Sequence, residues 1–247
     1  GLAARAGAVS LNQPFYQRVQ TLAGHPPLSL PLPMTNILSG GLHAGRGMDV
    51  QDFLAMPARA TSLADAIHVL SRVRNAATDE ARARGLPTLL ADEGGISPGL
   101  ATGREALDMM LRIIERAGLR PGEDVVIAID VAATSLQAPQ GGYALQREGR
   151  HVEASEMIEM LVDWVQHYPV VSIEDGLGEE DWHAWAELTR RVGHQVQLVG
   201  DDLFTTHPQR LARGVRERVA NGVLVKANQN GTLSGTLALI AQAQAAG

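Results

Sequence analysis

Residues 170–201 read VVSIEDGLGEEDWHAWAELTRRVGHQVQLVGD. A β-branched run ends in Glu174, apolar residues recur at helical period over Trp182 to Val192, and a second run, VQLVGD, ends in Asp201. A strand, a helix and a strand again within about 30 residues is the pattern of a parallel βα unit. The pattern extends in both directions. Upstream, VVIAID (125–130) ends in Asp130 and is followed by a helical stretch from Ser155 to Tyr168. Downstream, a helical stretch from Pro208 to Val219 leads into GVLVK (222–226), which ends in Lys226.

Four apolar runs thus each end in a charge. A buried, unpaired charge at a strand end is costly, so four of them predict a common meeting place. In a (β/α)8 barrel the C-terminal strand ends converge on one mouth, where catalytic groups stand. Asp130, Glu174 and Asp201 supply hard carboxylate oxygens of the kind Mg²⁺ takes. Lys226 is the candidate base, because burial and a nearby divalent cation push an ammonium pKa down. Its other reading is a lysine salt-bridged to one of those acids, and spacing does not choose between the two.

Further runs near 34–38 and 53–56 bring the strand count to six, with long helices at 61–85 and 103–118 between the second and third. Leu2 to Ala23 reads as a helix broken near Asn12-Gln13-Pro14 and stopped by Gly24. The proline-rich stretch 25–33 is a connector, and a last helix runs from Thr232 to about Ala246. The fold class is α/β, an incomplete TIM-like barrel with about six of eight strands. Trp164, Trp182 and Trp185 fall on helical faces and read as packing residues.

The composition narrows the function classes. Of 247 residues, 45% are hydrophobic and 19% charged, which suits a globular fold with a large core. Twenty-seven acids against 21 Lys and Arg give a net charge of −6, which disfavours nucleic acid as a partner. There is no cysteine, hence no disulfide framework and no thiolate metal site. No apolar run is long enough for a membrane span, nor is there a signal-peptide pattern, and a cytoplasmic enzyme is the default expectation. The chain starts at Gly1 without Met and stops at Gly247 just after a helix, which reads as a fragment.

Two glycine-rich loops and the dipeptide Gln51-Asp52 hold the remaining candidates. ADEGG places Asp92 and Glu93 in a turn whose glycines allow a ligand close to the backbone. SGGLHAG surrounds His43 with small residues, and Gln51-Asp52 precedes a short strand. Each of these is common in ordinary loops when taken alone.

Together, the motifs closely resemble the enolase family, the phosphopyruvate hydratases. The matching stretches are LPLPMTNILSGGLHAG, ADEGGISP, AIDVAA, YPVVSIEDGLGEEDW, VQLVGDDLFTT and ANGVLVKANQNGTLSGTL, in the family's order over nearly the whole chain. The resemblance implies a hydro-lyase that interconverts 2-phosphoglycerate and phosphoenolpyruvate with Mg²⁺ as cofactor. It implies Asp130, Glu174 and Asp201 as metal ligands, Lys226 as the base and Glu93 as the acid that helps the hydroxyl leave. It also places His43, Gln51, Asp52, Glu174 and Asp201 against the substrate. Residues 1–27 would be the helical end of an N-terminal domain and 28–247 a partial barrel domain. The segment alone is expected to be inactive, and the full-length protein a homodimer or larger.

The sequence departs from the family at several points. Asp52 stands where the family has Glu, and the missing methylene leaves its carboxylate about 1 Å short, a scale that can cost about 100-fold in rate. Thr134-Ser135-Leu136 replaces a Ser-Glu-Phe segment, Asn230 replaces an apolar residue and Gly235 an acid. Two further readings stay open. One is a paralogue acting on a related phosphonate or carboxylate, the other a non-catalytic binding protein.

Overall fold

The computed structural model describes residues 1–247. Helices α1 (Leu2–Ser10) and α2 (Phe15–Leu22) lead the chain. The break between them falls at the predicted place, with Asn12 at φ 47° and Pro14 capping α2. Strand β1 (Thr35–Ser39) follows the proline-rich connector, and a 3₁₀ turn at Leu42–Ala44 leads to β2 (Asp52–Met56). The long helices α3 (Leu63–Ala83) and α4 (Gly103–Arg116) separate β2 from β3 (Val126–Asp130). A short hairpin, β4 (Tyr143–Leu145) and β5 (Arg150–Val152), precedes α5 (Ala154–His167) and β6 (Val170–Glu174). The chain continues through α6 (Trp182–Val192), β7 (Gln197–Gly200), α7 (Pro208–Glu217) and β8 (Gly222–Val223). It ends with one turn, α8 (Ala227–Asn230), and α9 (Leu233–Ala246).

Local sequence explains where the helices start. The hydroxyls of Ser62, Thr102 and Thr232 accept the backbone N–H three residues on, at α3, α4 and α9. Glu153 and Glu156 form a reciprocal capping box at α5. Each such cap is worth about 1 kcal/mol. The buried faces of α3 (Leu70, Val73, Ala77, Ala81) and α4 (Ala106, Met110, Ile113, Ile114) follow helical period and pack into one core with Ile127, Ile129, Ile173 and Leu198 of the strands. All three tryptophans are buried there, as expected.

The sheet has six strands in the order β1-β2-β3-β6-β7-β8, an open part of a (β/α)8-type wall. β3, β6, β7 and β8 are parallel, as the βα rhythm predicts. β2 is not: it runs antiparallel to both β1 and β3. The physical reason lies in the connections. β1 and β2 are joined by a loop with no full crossover helix, which suits antiparallel neighbours. Between β2 and β3 two helices, packed on each other, carry the chain out and back to the same end.

One end of the sheet therefore collects five C-terminal strand ends and the N-terminal end of β2. Asp52 at the start of β2 pairs in register with both Ser39 and Asp130, and Asp130 pairs with Glu174. β8 is shorter than the 222–226 run suggested. It is an edge strand bonded only to β7, and beyond Leu224 the backbone leaves its neighbour. The Lys226 N–H goes instead to the Thr206 hydroxyl at 2.9 Å, and Lys226 becomes the residue before α8. No helix is long and apolar enough to cross a membrane.

Candidate active site

A cavity of about 510 Å³ opens at this end of the sheet. Eight of the residues singled out from the sequence line it, His43, Gln51, Asp52, Glu93, Asp130, Glu174, Asp201 and Lys226, and Asp92 does not. Asp175 and Asp202 line it as well, as do Asn36 and Ser135. The cavity wall thus carries seven carboxyl groups and a single lysine.

The loops deliver Glu93 and Gln51 by backbone bonding. The Ser39 N–H donates to the Ile96 carbonyl at 2.8 Å and the Ile96 N–H to Ile37 at 3.0 Å, which fastens the 91–97 turn along the edge of β1. Gly95 packs so closely there that a Cβ would lie 2.2 Å from the Ser39 Oγ, and only glycine fits. On the other loop, the Gly40 N–H donates to Gln51 and the Gly41 N–H to Met48. A Cβ on Gly40 would lie 2.4 Å from the Val50 carbonyl, so this approach also requires glycine.

The acids at β3, β6 and β7 are crowded. Asp130 accepts the Gln51 side-chain amide at 2.8 Å and the Ala132 N–H at 3.0 Å. Burial, and then the charges of Asp175 and Asp52, outweigh those bonds and raise its pKa. Burial followed by the charges of Asp130, Asp175 and Asp201 raises Glu174 as well, with Lys226 pulling the other way. Asp175 has φ 41° and turns its carboxylate inward, where it accepts the N–H groups of Asp201 (3.0 Å) and Asp202 (2.7 Å). Burial still pushes its pKa up to about 7.

Lys226 is ion-paired with one of these acids. Its Nζ donates to Asp201 Oδ2 at 2.5 Å. Burial alone would lower its pKa, but the hydrogen bond to Asp201 and the charges of Asp201, Glu174 and Asp202 hold it above the ordinary value. The geometry is that of the salt-bridged reading. Asp201 also accepts the Gln229 side-chain amide at 3.3 Å.

His43, Asp52 and Glu93 form a second group on the β1–β2 side. His43 Nδ1 is 3.5 Å from Glu93 Oε1 and 3.9 Å from Asp52 Oδ2. Glu93 accepts the Asn36 side-chain amide at 2.8 Å. Asp52 accepts the Ser39 hydroxyl. Burial is the main cause of an Asp52 pKa of about 6, moderated by the Ser39 hydrogen bond.

The fit to a metal can be judged from the donors. Asp130, Glu174 and Asp201 come from neighbouring parallel strands and offer only carboxylate oxygens, the set a hard divalent cation takes. Burial first, and then neighbouring negative charge, raises the pKa of Asp130 and of Glu174. The tightest acidic grouping is, however, Asp175, Asp201 and Asp202, with one donor atom from each within 4.8 Å. The expected trio shares the cavity without closing on one point, because Gln51 and Ala132 hold Asp130 and Lys226 holds Asp201.

Sequence reasoning passed over Asp175, Asp202, Asn36 and Ser39. The signal for the first two was the acid doublet at each strand end, 174–175 and 201–202. In regular strand geometry the second acid would face away, and the positive φ of Asp175 brings it back.

A family model described as the enolase C-terminal TIM barrel domain matches residues 27–247. The matched segment contains every strand of the sheet and every residue named at the cavity.

Proposed function

Since the chain belongs to the enolase C-terminal TIM-barrel family, we propose that the protein carrying it is a Mg²⁺-dependent lyase that interconverts 2-phosphoglycerate and phosphoenolpyruvate. The observation that carries this reading is the convergence of three strand-end carboxylates, one lysine and Glu93 on a single cavity. In this reading Asp130, Glu174 and Asp201 hold the cation. Mg²⁺ supplies the positive charge that stabilises the additional negative charge formed when a proton leaves the carbon beside a carboxylate.

The chain's own residues divide the remaining work. Lys226 takes the C2 proton. Its pKa is held up mainly by Asp201, Glu174 and Asp202 against a lowering by burial. Any ligand that draws Asp201 away removes much of that support, and burial then moves the ammonium toward the neutral form a base needs. Glu93 stands on the β1 side of the cavity and Lys226 on the β8 side, at opposite edges of the sheet order. That arrangement suits removal of a proton on one side of the substrate and of a hydroxyl on the other. Glu93 is half-exposed, and Asn36 fixes one of its oxygens, which leaves the other to meet the hydroxyl. His43 and Gln51 orient the substrate and Asp130 respectively.

The test is phosphoenolpyruvate formation by the full-length protein with and without Mg²⁺. Mg²⁺-dependent turnover that disappears in Lys226→Ala supports the reading. No turnover by folded, metal-loaded protein refutes it.

A second reading draws on Asp52. Its carboxylate is one methylene shorter than the family's Glu and is fastened to Ser39 at the cavity floor. That favours a paralogue whose substrate, a related carboxylate or phosphonate, reaches deeper. Asp52→Glu separates the two: a large gain with 2-phosphoglycerate marks a drifted enolase, and no gain favours the other substrate.

A further inference from the structure

The group on the β1–β2 side has a feature that general acid or substrate-contact roles leave unexplained. Asp52 is 1% exposed, and its Oδ2 is buried with no hydrogen-bond partner. His43 Nδ1 is buried and unpartnered too. The two atoms lie 3.9 Å apart, too far to satisfy each other directly. A buried polar atom without a partner is uncommon and calls for an explanation such as an ion.

The neighbouring bonds show what the orphaned atoms are aimed at. Each carboxylate has one oxygen tied down by a neutral donor, the Ser39 hydroxyl on Asp52 Oδ1 and the Asn36 amide on Glu93 Oε2. The second oxygens, Asp52 Oδ2 and Glu93 Oε1, both face His43 Nδ1. Outer hydrogen bonds that fix carboxylates in this way are what hold metal ligands in orientation. All three donors lie within 4.8 Å of one another.

We infer that His43, Asp52 and Glu93 form a second cation site, distinct from the strand-end carboxylates, for a borderline divalent ion of the Zn²⁺ or Co²⁺ kind. Bonds of about 2.0–2.1 Å at a tetrahedral angle put two ligands about 3.3–3.4 Å apart. The 3.5 and 3.9 Å separations exceed that by a few tenths of an ångström, a closure the half-exposed Glu93 and His43 side chains can make. The imidazole nitrogen selects against Mg²⁺, which prefers an all-oxygen shell. Three protein donors leave a fourth position open to the cavity. A proton on His43 is the competing occupant, but neither carboxylate oxygen is within hydrogen-bond length of it.

Zn²⁺ titration of the protein in saturating Mg²⁺, followed calorimetrically, tests this, with Co²⁺ as a spectroscopic probe. One Zn²⁺ should bind despite the Mg²⁺, and Co²⁺ should give the intense visible bands of a four-coordinate site. His43→Gln and Asp52→Asn should each weaken Zn²⁺ at least about 10-fold, while Asp130→Asn should leave it unchanged. Circular dichroism of each variant reports whether it is folded, and Ser39→Ala, which keeps all three ligands, should weaken Zn²⁺ less than either. No Mg²⁺-resistant Zn²⁺ binding, or binding indifferent to both ligand variants, overturns the site. The readout is metal uptake and not turnover, so it stands or falls separately from the lyase reading.

Discussion

Tyr143 is the test of how the site loops are held. It lies 1% exposed in the short hairpin, and its hydroxyl makes two bonds to the loop that follows β6. It accepts the Gly178 N–H at 2.9 Å and donates to Asp181 Oδ2 at 2.9 Å. Burial raises its pKa well above the usual range, so the phenol stays protonated and remains a donor. Tyr143→Phe keeps the ring and removes both bonds. The Gly178 N–H is then buried without a partner, at about 1–3 kcal/mol, and Asp181, which is only half-buried, loses a donor worth about 1 kcal/mol. Desolvating one hydroxyl fewer returns about 1 kcal/mol, which leaves a net loss of about 1–3 kcal/mol. For a chain of 247 residues that is a fall in Tm of about 2–12 °C. Urea unfolding of the protein and the variant, by circular dichroism, should show a lower midpoint with the slope unchanged. A loss under about 0.5 kcal/mol would mean that water or a shifted loop replaces the phenol, and the account of a hydroxyl-clamped loop would be wrong.

Three further outcomes follow from the same geometry. Lys226→Ala should lower turnover of 2-phosphoglycerate by about 10²–10⁴-fold without abolishing Mg²⁺ binding; an equal loss of both would assign the lysine to folding. Mg²⁺ should stabilise the fold by about 2.7 kcal/mol at a hundred times its Kd, read as a rise in Tm, and Asp130→Asn should remove most of that rise. Gly95→Ala should be disruptive, because its Cβ would lie 2.2 Å from the Ser39 Oγ; unchanged stability together with unchanged Zn²⁺ binding would show that the 91–97 turn is free to move.

The strand-end charges were legible because strands announce themselves through β-branched runs, and a charge ending such a run has few inexpensive alternatives. That reasoning found Asp130, Glu174, Asp201 and Lys226. It could not find the antiparallel direction of β2, which depends on two helices being packed so that they return the chain to the same end. The register Asp52↔Asp130 follows from that direction, so Asp52 could be named from a family motif and not from strand logic. Thr134 is a similar case. As a departure in sequence it had no assigned task, yet its hydroxyl accepts the Glu179 N–H at 3.0 Å and helps anchor the loop that Tyr143 holds. Side-chain anchors of this kind join residues 35–45 positions apart, and no local pattern marks them.

The balance of charge at the cavity argues for a ligand more strongly than any single motif. Seven carboxyl groups face one lysine and one histidine. Burial raises five of them, Asp52, Asp130, Glu174, Asp175 and Asp202, so the fold carries a cost at neutral pH that better-paired or apolar residues would avoid. Elsewhere the chain pairs its acids routinely: Glu80 meets Arg112 and Arg116, and Asp124 meets Arg120. The deficit is thus local. It divides into two parts by donor type, an all-oxygen cluster at β3, β6 and β7 and a mixed nitrogen–oxygen group at β1 and β2. Lys226 serves only the first, through Asp201, and His43 is the only nitrogen in the second. Two deficits of different donor chemistry on one cavity call for two different cations, so metals added singly and together should bind independently at the two ends of the site.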